Sequence, residues 1–196
     1  MVGGASGPAA PTDPYFANVV SLLHFDTGDT TITDVKGNTW TAVGDAIANG
    51  TAKYGAYSLA VDGAGDVVTT PINDNFLFGS GDFTAEAWIN PTVWDGVSSP
   101  GILGVWDDGS NTRQSWLIFK STSQLRFLYN ATNGSDVMAI IVNSPGIVAG
   151  QWHHIAVTRS GSTLYMFVDG VVKGTYNVGT NAFYAAQAGS VLSVGG

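Results

Sequence analysis

The chain has 196 residues, a formal net charge of −8, only 11% charged residues and no cysteine. That length builds one domain with a real core. Seven scattered Lys and Arg make no basic patch, which excludes nucleic acid as a partner, and without Cys there is no disulfide framework and no thiolate metal site.

Abundant Gly, Ala, Ser, Thr and Val favour turn-rich β-structure over helices. No run is long and apolar enough for a membrane span. The start lacks the charged and hydrophobic regions of a signal peptide.

Residues 1–13, MVGGASGPAAPTD, are small and aperiodic and predict a flexible arm, with a single domain over 14–196. VVSLLHF (19–25) is a nearly continuous apolar run and predicts a central strand covered on both sides. YSLAVDGAGDVVTT (57–70) predicts two short strands around a Gly-rich turn. DFTAEAWINP (82–91) alternates, with Phe83, Ala85, Ala87 and Ile89 on one face and Thr84, Glu86 and Trp88 on the other. GILGVW (101–106), SWLIFK (115–120), QLRFLY (124–129) and VMAIIV (137–142) predict four further strands, separated by Gly, Asn, Ser and Asp.

In QWHHIAVTRSGSTLYMFVDGVVKGTY (151–176), Asp169-Gly170 between two β-rich runs is a strong hairpin signal, because both residues tolerate positive φ. With RSGS as a second turn, three antiparallel strands follow one another. Alternation then separates the histidines, His153 with Ile155 and Val157, His154 with Trp152 and Ala156. They point opposite ways and are ill placed to chelate one metal. One is expected to be buried against Trp88 or Trp152 near Glu86, and the other to lie on a sheet face. Trp88 and Trp152, inside regular strands, are expected in the core. Many short strands without an intervening helical period mean an antiparallel sandwich.

DFTAEAWINP, then GQWHHIAVTRSGSTLYMFVDGVVKGTY, then SVLSVGG, in that order, resemble the laminin-G-like, concanavalin A-like jelly roll from about Val19 to the C-terminus. The resemblance implies an all-β antiparallel sandwich. It leaves function open, because this fold hosts lectins, adhesion modules, glycanases and spacers. The opening GPAAPTDPYFANVVSLLHFD is similar to that of such domains in bacteriophage tail-fibre and other virion-surface proteins, which implies a virion-surface or extracellular setting. The family usually continues past LSVGG with a further strand that pairs near the first. The fold is therefore expected to lack its usual final strand. A homo-oligomer or strand donation from another chain is the expected remedy.

Glycanases of this fold use two or three carboxylates on one strand, whereas this chain has a single glutamate, Glu86, with no companion acid. An enzyme is therefore not expected. No cofactor is expected either. The best alternative is calcium at Asp107, Asp108 and Asn111, a sequence that is also ordinary turn chemistry. Sugar sites stack aromatics on sugar faces and bind hydroxyls with Asn and Asp. The candidates in irregular segments are Trp94, Trp106, Asp107, Tyr129, Asn130, Phe183 and Tyr184. Together these features predict a non-enzymatic virion-surface domain, in a tail fibre or appendage, that contacts host surface glycan. The alternatives are a structural decoration or spacer that binds other virion proteins and, further off, a glycan-degrading enzyme.

Overall fold

The structure is a computed structural model and describes residues 13–62, 65–96, 99–105, 115–131, 136–186 and 189–196. Its strands are β1 (Thr41–Val43), β2 (Ile47–Gly50), β3 (Ser58–Ala60), β4 (Val67–Pro71), β5 (Phe83–Ile89), β6 (Gly101–Val105) and β7 (Trp116–Ser121). They continue with β8 (Gln124–Asn130), β9 (Asp136–Val142), β10 (His153–Ser160), β11 (Thr163–Val168), β12 (Val171–Asn177) and β13 (Val191–Gly195). A seven-stranded sheet runs β1-β4-β13-β6-β7-β8-β9, and a four-stranded sheet runs β12-β11-β10-β5. The ribbon β2-β3 stands apart. Every strand pairing among the described residues is antiparallel, so the architecture is the expected β-sandwich jelly roll.

Alternation builds the core. Ile155 and Val157 of β10, Leu164, Met166 and Val168 of β11, and Ala85 of β5 face Trp116 and Ile118 of β7 and Leu125 and Phe127 of β8. The inward row of β10 ends in a polar residue on each side, His153 and Arg159, both buried. Among the described residues Arg159 has no carboxylate partner. Its guanidinium instead donates to the carbonyls of Gly161 (3.0 Å), Asn181 (2.8 Å) and Gly179 (3.1 Å). A buried cation is tolerable when its donors find acceptors, and this one ties the turn at Gly161 and the turn from Gly179 to Asn181 to the end of the sandwich. The Asp169-Gly170 hairpin forms as read, with φ of 50° and 76°.

One expectation is corrected. VVSLLHF is not a central strand; residues 19–25 are irregular apart from a single bridge, Leu23 to Asp34, and none of them is buried. The two runs in 57–70 form short strands as read, β3 joining β2 while β4 lies between β1 and β13. Strands β1 and β2, unread in the sequence, are three and four residues long.

The sheets are unequal. β12 lies against β9 across the core, so four strands laid over seven reach only to β6. The inner faces of β13, β4 and β1 are roofed by irregular chain instead. Ile32 and Trp40 are buried there with Val68 and Leu192, and Leu23 and Phe25 pack against them. Asp34 holds this roof. Its carboxylate accepts from Ser21 Oγ (2.6 Å), Asn38 Nδ2 (2.7 Å), Trp40 Nε1 (3.1 Å) and the amides of Lys36 (2.7 Å) and Leu22 (3.1 Å).

Candidate functional site

The loop aromatics named from sequence lie mostly inside. Trp94 is buried, with its indole Nε1 donating to the Ser123 carbonyl at 3.1 Å. Tyr129, Asn130 and Phe183 are buried together at the end of β8. The Tyr129 and Phe183 rings stack 4.5 Å apart, and the amide of Tyr184 donates to the Asn130 carbonyl at 2.7 Å. Burial pushes the Tyr129 phenol above its ordinary pKa. The structure thus brings Tyr129, Asn130, Phe183 and Tyr184 to one place, but as a joint that pins a loop to the sandwich end. Of the four, only Tyr184 is half-exposed. Buried faces of Trp94, Tyr129 and Phe183 cannot stack on a sugar, which corrects their reading as binding residues. Loops that cross the ends of a sandwich need apolar anchors, and these rings supply them. Trp106 and Asp107, with Asp108 and Asn111, lie outside the described residues.

One exposed aromatic residue was assigned to the core. Trp88 is 41% exposed on the outer face of the four-stranded sheet. Its ring lies 5.6 Å from Tyr54, edge to face at 79°, and 5.2 Å from His154. Lys53 Nζ stands 4.8 Å from the Trp88 ring. Glu86 Oε2 is 3.4 Å from His154 Nε2, with the carboxylate largely in solvent.

Register explains the grouping. His154 is opposite Trp88, and Ala156 is opposite both Glu86 and Phe167. The small Ala156 side chain leaves a low floor between Glu86 and Phe167, with Tyr165 6.3 Å beyond Phe167. Tyr54 reaches the platform from the β2-β3 turn, where Gly55 takes φ 73° and the Asp26 carboxylate accepts from the Ala56 amide at 2.7 Å.

The second histidine supports the first from below. His153 Nδ1 meets Asp169 Oδ2 at 2.7 Å, while Nε2 accepts from the Val148 amide at 3.0 Å. Nε2 can accept only as a lone pair, so Nδ1 carries the proton and donates to Asp169. The other Asp169 oxygen accepts from the His154 amide at 2.9 Å, which fixes the backbone beneath the platform. The His153 hydrogen bond holds the Asp169 carboxyl below its ordinary range. With both ring nitrogens engaged, His153 has no free site for a nucleophile's proton. The histidines differ in exposure as expected, but with partners exchanged: the surface one touches Trp88 and Glu86, and the buried one holds Asp169.

Trp88 was legible in principle, because alternation places it with Thr84 and Glu86 on the polar face of β5. A concavity lies apart from this platform, at β1: an open cleft of about 410 Å³ lined by Thr30, Thr31, Ile32, Trp40, Thr41, Ala42 and Gly44, with no charged group. Among the described residues no three His, Asp or Glu side chains gather as a metal site.

A jelly roll with an aromatic platform on one sheet face and a lone exposed glutamate beside it has the outline of a binding module. The model of the concanavalin A-like lectin/glucanases superfamily, of laminin G type, matches residues 62–196, and the chain belongs to that family. A search of curated proteins found no match.

Among solved structures, the receptor binding domain of botulinum neurotoxin D is similar with TM-score 0.64 and 13% identity, covering 90% of this chain and 44% of that one. The neurotoxin serotype G binding domain gives TM-score 0.59 and 12% identity, over 89% and 45%. This chain therefore spans less than half of those toxin chains. Domain 4 of an extracellular arabinanase from Geobacillus stearothermophilus, solved with arabinotriose, gives TM-score 0.57 and 15% identity, over 90% and 84%. At these identities the likeness is one of fold.

Proposed function

We propose that this domain is a non-enzymatic glycan-binding module whose contact surface is the outer face of the four-stranded sheet, centred on Trp88. The observation that carries the reading is an indole 41% exposed on a regular strand, with Tyr54 edge-on and Lys53, Glu86 and His154 at its rim. Sugars bind by stacking an apolar ring face on an aromatic while charged and amide groups take the hydroxyls. Fold relatives that are binding domains, one of them solved with an arabinose oligomer, support a binding role. The setting we propose is the surface of a virion, in a tail fibre or appendage, with host surface glycan as ligand. Resemblance of the opening residues to such proteins is its support. A structural role against other virion proteins is the second reading, favoured by the open strand edges of both sheets.

Glycan-array binding followed by calorimetry tests the site. Trp88→Ala should weaken binding at least tenfold with little change in melting temperature, and Tyr54→Ala should weaken it less. If Trp88→Ala binds normally while Tyr184→Ala does not, the site is the loop end instead. If no glycan is bound and the domain occupies a fixed position in a particle with Trp88 covered, the structural reading replaces this one.

A further inference from the structure

The two sheets present four edges, and three of them are short or carry charge. β1 has three residues, the middle of β5 carries Glu86, and β12 contains Lys173. β9 is different. Among the described residues its seven residues pair only with β8, and after Asp136 at its first position, Val137 to Val142 include no charge, Gly or Pro. Met138 is 39% and Ile141 47% exposed along it. Val171 and Val172 of β12 are exposed on the same side of the sandwich, because Gly174 of β12 abuts Ile140 and Val142. A long, uncharged, unpaired edge is a template for another strand.

The sequence of β9 points to the occupant. Phe127 pairs with Ile140 and Leu128 with Met138, so Ala139 is an extra residue in the ladder. That bulge places Met138 and Ile141 on one face, on either side of Ala139-Ile140, and leaves V-M-A-I-I-V nearly palindromic in its facing. A twofold axis between Ala139 and Ile140 would set Val137 opposite Val142 of a second copy, Met138 opposite Ile141, and Ala139 opposite Ile140. Exposed residues meet exposed residues, and inner residues meet inner residues. The same operation on β5 would oppose two copies of Glu86, which is unfavourable. Each copy also carries a net charge of −8, so a neutral strip is where two copies meet with least repulsion.

We propose that the β9 edge is the contact strip of a symmetric homodimer, with the two β9 strands antiparallel and the larger sheets continuous across the axis. It stands independently of the glycan reading. One strand pair covers less than the ~800 Å² per partner of a tight complex, so association is expected in the micromolar range and rises with concentration.

Sedimentation of the full chain from about 1 to about 100 micromolar should show the mass doubling. Ile141→Lys should keep it monomeric throughout at unchanged melting temperature, and Val93→Lys, on another exposed surface, should not. The chain has no cysteine of its own, so a Met138→Cys, Ile141→Cys double variant should oxidise to a covalent dimer, each single variant far less. A wild-type chain monomeric across the range overturns the proposal. So does a dimer that survives Ile141→Lys, or one whose double-cysteine variant fails to cross-link.

Discussion

Asp34 gathers more hydrogen bonds than any other described carboxylate in this fold, and its charge is what they require. Burial pushes its carboxyl up, but donation by Ser21, Asn38 and the amides of Lys36 and Leu22 outweighs that and holds it at about 2. In the unfolded chain the group titrates near 3.9. A folded-state pKa below the unfolded one stabilises the fold above about pH 4, and that stabilisation is lost as pH falls towards 2. It amounts to about 2 kcal/mol. Asp34→Asn should therefore lower stability by about 2 kcal/mol at pH 7 and flatten the loss between pH 4 and 2. Denaturant titrations across that range check it, and an unchanged acid slope in the variant would refute the assignment. Trp88 teaches a different lesson at the same scale. Its side of β5 was set by alternation with Thr84 and Glu86, yet a general preference for burying indoles pointed inward. Register was the better guide, since one strand cannot turn a single residue to the other face without a bulge.

Among the elements, those with local signals were legible. β5, β10, β11 and β12 announce themselves by alternation and by turn residues with positive φ; β10, β11 and β12 pair as neighbours in sequence, while β5 reaches β10 across four intervening strands. β1 and β4 find each other across the β2-β3 ribbon, and β13 joins β4 and β6 from the far end of the chain. No local pattern encodes that. The run 19–25 failed as a strand for a related reason: its apolar residues are covered from one side only, and its backbone is organised by a side chain more than ten residues away. The loop aromatics followed the same logic, because burial of Trp94 or Phe183 depends on what each loop crosses.

The junction of β12 and β9 offers an element-level test. A Cβ on Gly174 would lie 2.6 Å from Ile140 Cγ2, with no positive φ to complicate the result. Gly174→Ala should cost about 1–3 kcal/mol by overpacking. In an Ile140→Ala background the same change should cost much less. Equal costs in both backgrounds, by thermal or urea unfolding, would show that the two strands do not meet there.

For the whole molecule, the inequality of the sheets divides the chain into two kinds of protection. Amides in the central ladders of β7, β8, β10 and β11 can exchange with solvent only when the sandwich opens. Amides in the roof over β13, β4 and β1 hang on isolated bridges and on the Asp34 side chain instead of a ladder, and can exchange by a local lift of residues 19–40. Hydrogen–deuterium exchange should resolve two tiers, with the roof faster at pH 7 after correction for intrinsic rates. Lowering the pH towards that of the Asp34 carboxyl should widen the gap between them. If residues 19–25 exchange as slowly as β10, the roof is not a separate unit. If they do not, this jelly roll has a subdomain that acid can loosen while the sheet bearing Trp88 stays shut.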